Sequence, residues 1–343
     1  MRSHAKKLPE RVLVTGAAGF IGSHLVDRLL AEGCVVWGID NFDSFYPRSV
    51  KESNLEEAQR SLRFRLVEGD IRDEAFLAEV FGEGQFQAVA HLAARPGVRP
   101  SIEAPDDCFD CNVMGTVRLV ETMRRFGVNV LAFASSSSVY GAREGREPFS
   151  EDDVVDGPVS PYAASKRAGE LVCHTYWHLH GLRCYSLRFF TVYGPRQRPD
   201  LAIHKFTRAI QSARPIQLYG DGSMSRDYTY VDDVVEAVWR TLGRGLSGDG
   251  SGYEILNIGA SRPVPLNELV RLLAEAINAE PIVERLPAQP GDVPRTSADI
   301  ARAREVLGYE PKTPIEEGLR RFVAWYLAQH EVSLTASAKL GTG

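Results

Sequence analysis

Val14-Thr15-Gly16-Ala17-Ala18-Gly19-Phe20-Ile21-Gly22-Ser23-His24-Leu25 is the stretch on which the reading of the chain turns. Before it stands a short apolar run, Arg11-Val12-Leu13-Val14, which reads as a buried parallel strand. After it, Ile21, Leu25, Leu29 and Leu30 share one face of a helix. The three glycines therefore occupy a strand-to-helix turn, where a dinucleotide rests its pyrophosphate against the positive end of the helix. Gly16 permits the tight turn, Gly19 lets the phosphates approach the backbone, and Gly22 lets the helix pack closely on the strand. The spacing is G-x-x-G-x-x-G, not G-x-G-x-x-G. Many βα turns contain glycine, so the flanking strand and helix carry the reading. A second strand, 34–39, runs into Asp40. An acid there suits the adenosine ribose hydroxyls and repels a 2′-phosphate. The next residues, Asn41 and Phe42, bring no arginine, so the expected cofactor is NAD rather than NADP.

Outward from this turn, strands alternate with helices. Strands are expected at 62–67, 128–134, 182–188, 216–219 and 255–258, and one from Phe86 runs into the small-residue loop at Leu92-Ala93-Ala94. Helices are expected at 51–60, 106–126, 202–213 and 265–279. Repeated βαβ units predict an α/β fold, a doubly wound parallel sheet with ligands at the carboxyl ends of its strands. The expected division is a nucleotide-binding domain over 1–190, to which 228–260 returns, and a smaller C-terminal α/β substrate lobe over 191–227 and 261–330. A loose tail is expected over 331–343, and Gly243, Gly245, Gly248, Gly250 and Gly252 mark a surface loop.

At 343 residues the chain can bury a large core in two lobes. A net charge of −5 argues against bulk nucleic-acid binding. No apolar run approaches membrane-spanning length, and the basic start lacks the apolar core of a signal peptide. The five cysteines are thinly spread. Cys108 and Cys111 form a C-x-x-C, but no second pair or histidine cluster accompanies it. This reads as free thiols in a reducing cytoplasm, with no metal site.

The strand ends carry the candidate chemistry. Asp70 follows the third strand, where bonding adenine and capping a helix are equally natural roles. Leu92, Ala93 and Ala94 let a flat ring lie close to the backbone, and His91 reads as a packed strand histidine. The fifth strand ends in Ser135-Ser136-Ser137-Ser138-Val139-Tyr140-Gly141. Ser160-Pro161-Tyr162-Ala163-Ala164-Ser165-Lys166 opens a helix, with Pro161 suited to its first turn. Tyr162 and Lys166 are four apart and share a face. A tyrosine is a poor base at its free pKa, but a nearby ammonium and a positive nicotinamide both favour the phenolate. A strand-end serine can hydrogen-bond the same substrate hydroxyl. Alone, Y-x-x-x-K reads as a packed tyrosine beside a solvated lysine. After the glycine turn, Asp40 and the serine strand end, it reads as a proton-transfer site.

Together, T-G-A-A-G-F-I-G, H-L-A-A, S-S-S-S-V-Y-G, Y-x-x-x-K and Asp221-Gly222 through Arg226-Asp227-Tyr228-Thr229-Tyr230-Val231-Asp232-Asp233 resemble the extended short-chain dehydrogenase/reductase family of nucleotide-sugar epimerases and dehydratases. The resemblance runs over about residues 11–325. It implies a Rossmann sheet and a catalytic set of Tyr162, Lys166 and Ser136, with Ser137 and Ser138 as neighbours sharing the work. It implies NAD contacts from Gly16, Gly19, Phe20, Ile21, Gly22, Asp40 and Asn41. Others come from Asp70, Ile71, Leu92, Ala93, Ala94 and Asn112, and from Tyr162 and Lys166 themselves. For a UDP-sugar it implies contacts from Pro96, Arg99, Ser136, Ser137, Ser138, Tyr162, Thr191, Arg198 and Arg226. Gln217 and Tyr219 lie on the strand where the family's nucleotide base sits. Asp292 lies in Gln289-Pro290-Gly291-Asp292-Val293-Pro294, a segment like the one that closes on the sugar nucleotide. A homodimer packed through helices near 106–126 and 161–180 is the family's expectation.

Departures from the family pattern narrow the reaction. The 4,6-dehydratases carry an Asp-Glu pair where Ser137 and Ser138 stand, and the glucuronate decarboxylases a Glu where Ser138 stands. Without that acid, elimination lacks its proton donor, which leaves oxidation and re-reduction at one carbon. Most sugar epimerases place Asn where this chain has Thr191. The stretch 188–200 and Pro96-Gly97-Val98-Arg99 most resemble the UDP-glucuronic acid 4-epimerases. The implied reaction is conversion of UDP-glucuronate to UDP-galacturonate through a 4-keto sugar, with Arg198 or Arg196 meeting the carboxylate. A UDP-glucose 4-epimerase, a UDP-glucuronate decarboxylase and a non-catalytic dinucleotide-binding scaffold are the rivals.

Overall fold

Strands without polar alternation are what a sheet covered on both faces requires, and the apolar runs of this chain build such a sheet. The structure, a computed structural model, describes residues 9–142, 148–287 and 294–340. In chain order its strands are β1 (Arg11–Thr15), β2 (Val35–Asp40), β3 (Phe64–Glu68), β4 (Ala88–His91), β5 (Val130–Ser136), β6 (Arg183–Phe189), β7 (Thr191–Tyr193), β8 (Ile216–Tyr219), β9 (Ser225–Tyr230), β10 (Tyr253–Ile258), β11 (Pro263–Pro265) and β12 (Val283–Leu286). Seven of them form one parallel sheet in the order β10-β6-β5-β4-β1-β2-β3. Val12 and Val14 of β1 enter the core on one face and Leu13 the core on the other. The chain leaves β1 towards β2 and β3, then crosses back to β4 on the opposite side. That switch point opens a crevice at the carboxyl end of β1. Two small sheets, β11-β9-β7 and β12-β8, flank it.

Several elements differ from their expected bounds. β9 was expected with the return to the large sheet but pairs with β7 and β11. The return is made by the Val231–Ser247 helix and β10. That helix runs through Gly243 and Gly245, because Gly245 packs on Val130, where a Cβ would collide. The turn begins only at Gly248, in the left-handed region at φ +79°. The expected tail is also shorter, since the last helix runs Ile315–Leu340. The stretch 331–340 contains no glycine or proline to stop it. The helix expected over 51–60 is a short helix at Arg48–Ser53 and a single turn at Ala58–Arg60. The long helix expected over 106–126 is broken by a π turn at Asp110–Met114.

The Asp221-to-Asp233 motif is structural in its second half. The buried Asp227 carboxylate accepts backbone N–H groups of Ala260 (2.8 Å), Ser261 (2.9 Å) and Ala298 (2.9 Å). Asp233 accepts those of Lys312 (3.0 Å) and Thr313 (3.1 Å). Each carboxylate thereby ties β9, or the helix that follows it, to a loop far along the chain.

The Pro161–His180 helix docks on β5 through consecutive strand residues. Lys166 Nζ donates to the Ala134 carbonyl at 2.8 Å, and Ser135 Oγ donates to Glu170 Oε1 at 2.6 Å. Arg188 of β6 grips the same carboxylate, Nε to Oε1 at 2.8 Å and Nη2 to Oε2 at 2.9 Å. Glu170 is 0% exposed and Arg188 1%. Removing one member of such a pair strands a charge in the interior. Glu170→Ala should therefore lower unfolding stability by about 3–5 kcal/mol, read as the shift of the chemical-unfolding midpoint.

Candidate active site

A cavity of about 390 Å³ opens at the carboxyl ends of the central strands, and the glycine turn forms its floor. Gly16 has φ +69°, and a Cβ there would lie 2.7 Å from the Ala93 nitrogen. A Cβ on Gly22 would run into the Gly16 carbonyl. Gly19 lines the cavity and caps the Phe20–Ala31 helix without any side-chain cap bond, and the first turn holds no acid. Those N–H groups and the helix dipole are left for an anion, which fits a pyrophosphate. Phe20, Ile21, Leu92, Ala93 and Ala94 line the same cavity as expected.

At the adenosine side, Asp40 lines the cavity and is nearly buried. It accepts the N–H groups of Ala18 (3.1 Å) and Phe42 (2.9 Å) and faces Lys51 Nζ at 3.4 Å. Lys51 escaped the sequence reading, because nothing eleven residues downstream marks it as Asp40's partner. The pair offers an acceptor and a donor to vicinal ribose hydroxyls. Asn41 and Ile71 line the cavity too. Asp70 lines the cavity but does not cap the following helix. Arg72 donates from N, Nε and Nη2 and Asn41 from Nδ2, all at 2.8–2.9 Å, which occupies the carboxylate and holds its pKa at about 2. The following helix is capped instead by Asp73.

His91 is packed, as expected, and its surroundings dictate its tautomer. Thr116 Oγ1 donates to the Asn112 carbonyl (2.7 Å), so it accepts from His91 Nε2 (2.9 Å). His91 Nδ1 then accepts from Thr15 Oγ1 (2.8 Å), which accepts the Ala93 N–H (3.2 Å). This relay joins β1 to the small-residue loop. Asn112 does not line the cavity. Its amide is spent on the backbone N–H (2.7 Å) and carbonyl (3.1 Å) of Arg95 and on Ser165 Oγ (3.0 Å).

At the reactive end, Ser136, Ser138, Tyr162, Lys166, Thr191 and Arg198 line one wall, with Pro96 nearby in the lining. Ser136 stands close to the Tyr162 hydroxyl, and its Oγ lies 3.1 Å from Ser138 Oγ. Ser137 is not among the lining residues, because the tight Ser137–Tyr140 turn carries it away from its neighbours. Burial pushes the Tyr162 phenol above its ordinary value, while the Ser136 hydroxyl and the Arg198 guanidinium draw it down. The expected cation, Lys166, stands 6.0 Å from the ring centroid and is committed to Ala134, and its burial lowers its pKa to about 8. Arg198 thus adds a second side-chain cation near Tyr162, beside Lys166.

The two arginines of the loop after β7 separate. Arg196 pairs with Asp27 of the first helix at 2.7 Å and lines no part of the cavity. Arg198 lines it, with Nε and Nη2 each 2.9 Å from Asp200. The uridine-side candidates do not gather in this cavity. Arg99 lies 5.9 Å from the Tyr219 ring, Gln217 is exposed on β8, and Arg226 donates to the Ser225 carbonyl. They stand on the small sheets and the helix facing them, away from the strand ends that form the cavity. Asp292 lies outside the described residues. Asp43, Phe45, Tyr46 and Arg95 also line the cavity, and nothing in the sequence singles them out.

A dinucleotide crevice with Ser136, Tyr162 and Lys166 at its strand ends defines an NAD-dependent redox site. Residues 12–259 match the NAD dependent epimerase/dehydratase family, and the chain belongs to that family, with NAD as its cofactor. Among relatives, UDP-glucuronate 4-epimerase of Thermodesulfobacterium geofontis is 41% identical over 329 residues, 96% of this chain and 99% of its own. UDP-glucuronate 4-epimerase 4 of Arabidopsis thaliana is 41% identical over 342 residues, 96% of this chain and 78% of its own. The crystal structure of UDP-glucuronic acid 4-epimerase from Bacillus cereus with UDP-glucuronic acid and NAD superposes with a TM-score of 0.85 at 33% identity, covering 93% of this chain and 99% of that one.

Two outcomes follow from the geometry. Tyr162→Phe should cut turnover by roughly a hundredfold or more while NAD still binds, measured by product formation and by the nicotinamide content of the purified variant. His91 is held neutral by burial, its pKa falling from 6.5 to about 3. The unfolded chain therefore binds the extra proton below pH 6.5, and stability falls as pH drops towards 3. In urea titrations across that window, His91→Gln should flatten the slope by up to about 1.4 kcal/mol per pH unit.

Proposed function

We propose that the protein is a UDP-sugar 4-epimerase that interconverts UDP-glucuronate and UDP-galacturonate. The observation that carries the reading is the wall around Tyr162, where the Arg198 guanidinium shares the cavity with the hydroxyls of Ser136, Ser138 and Thr191. A C5 carboxylate needs such a cation and donor set, whereas a hydroxymethyl needs one or two hydrogen bonds. The acids among the described lining residues are Asp40 at the end of β2, Asp43 after it and Asp70 after β3. Elimination would need an acid where Ser137 and Ser138 stand, and the chain carries serines there.

NAD, when bound, takes up hydride from the sugar C4 and returns it. In this reading Tyr162 accepts the proton of the 4-hydroxyl and gives it back, and Ser136 hydrogen-bonds the same oxygen. Lys166 holds the end of β5 and Arg198 favours the phenolate. Oxidising C4 of a glucuronate makes a β-keto acid, which loses carbon dioxide when its C5–C6 bond stands perpendicular to the ketone plane. Thr191, Ser138 and the unshared Nη1 of Arg198 restrain the carboxylate away from that geometry.

The surface supports a homodimer. Ile102 (61% exposed), Phe109, Met114, Leu171 and Leu179 leave apolar side chains outside on the helices of 98–125 and 161–180, which suits packing against a second copy. All five cysteines are free, in keeping with a reducing cytoplasm. No helix among the described residues is long and apolar enough to cross a membrane.

Arg198 also gives the neutral-sugar reading its footing, since two of its nitrogens already serve Asp200. Wild-type protein should epimerise UDP-glucuronate at least about tenfold faster than UDP-glucose, the worth of one charge-assisted contact. Arg198→Ala and Thr191→Ala should erase that preference and raise the share of decarboxylated pentose product, followed by chromatography of the UDP-sugars. Equal wild-type rates on both substrates would favour the neutral-sugar epimerase.

A further inference from the structure

Side chains from three separate loops meet above the glycine turn. Asp43 and Phe45 follow β2, Arg95 follows β4, and Arg198 follows β7. β2 and β4 flank β1 on opposite sides. Any contact between the loops that follow them must cross the carboxyl end of β1, where the dinucleotide's pyrophosphate belongs.

Two contacts make that crossing. Arg95 Nη1 lies 3.3 Å from Asp43 Oδ2 and 3.3 Å from Asp107 Oδ2. Asn112 holds the Arg95 backbone by both its N–H and its carbonyl. The second crossing starts further out, where the Arg198 guanidinium lies 5.4 Å from the Phe45 ring centroid, fixed by Asp200. The 41–47 loop is itself ordered to meet them. Asp43 N donates to Asn41 Oδ1 at 3.0 Å, and Phe45 N to Asp43 Oδ1 at 2.9 Å. Asp43, Phe45, Arg95 and Arg198 all line the cavity.

We propose that Asp43–Arg95 and Phe45–Arg198 form a strap that retains NAD, so that the dinucleotide escapes only when both crossings open. The inference rests on the family's cofactor and not on which sugar is used. It suits a reaction that hands its hydride back, because the cofactor need not exchange between turnovers. The Asp43–Arg95 pair is partly exposed, with side chains 28% and 35% accessible. Alone it is worth only a few-fold in lifetime, and the cation–ring contact about the same.

The test loads purified protein with radiolabelled NAD and follows its loss under a chase of unlabelled NAD. Asp43→Asn and Phe45→Ala should each speed release a few-fold, and the double variant about tenfold. Salt supplies a signature that a merely structural role would not move. Between about 0.01 and 1 M salt, release from wild type and Phe45→Ala should quicken, because an exposed ion pair is screened. Release from Asp43→Asn should not respond. Release rates within twofold of wild type in both variants, or a wild-type rate indifferent to salt, would overturn the strap while leaving the cofactor in place. A protein that takes up no labelled NAD at all would overturn the cofactor and the strap together.

Discussion

The grip of Arg188 and Ser135 on the buried Glu170 carboxylate is the constraint from which the reactive end is built. Four donors meet its two oxygens, two from Arg188, one from Ser135 and one from Arg167 at 3.1 Å. A charge placed that deep is tolerable only when so fully matched. The match fixes both the rotation and the height of the Pro161–His180 helix against β5 and β6. One turn above Glu170, Lys166 meets Ala134, and one turn above that, Tyr162 meets Ser136. The distance between the tyrosine and the serine is therefore set by a contact eight residues away from the chemistry.

The cofactor end is governed by backbone and not by charge. Close packing around Gly16 and Gly22 brings the turn against the Ala93 loop, and the Thr15–His91–Thr116 relay holds that loop in register with β1. The relay works only with a neutral imidazole, which the dry interior enforces. Around the rim, Arg72, Arg95 and Arg198 are each paired with an acid. The cavity thus has an uncharged floor for phosphates, supplied with N–H groups, beneath a rim of paired arginines.

Two loops illustrate how pairing sorts similar residues into different tasks. Arg196 and Arg198 are two positions apart, yet Asp27 draws one onto the outside of the first helix while Asp200 holds the other in the cavity. Asp227 and Asp233 belong to the motif that carries the resemblance, and each carboxylate is consumed by backbone N–H groups and ties distant loops together.

By itself, the sequence determined the parallel sheet, the glycine turn, the acid at the end of β2 and the Ser136–Tyr162–Lys166 set, because each depends on residues close together in the chain. Gly16, Gly19 and Gly22 lie within one turn, and Tyr162 and Lys166 within one helical step. Only the tertiary structure decided which charges pair. Arg95 with Asp43 and Arg198 with Phe45 are chosen by loops that the strand order brings together. So is the commitment of the Asn112 amide to Arg95 and Ser165. A carboxylate or amide has a fixed number of hydrogen-bonding positions, and whether one is left for a ligand depends on neighbours that local sequence does not specify.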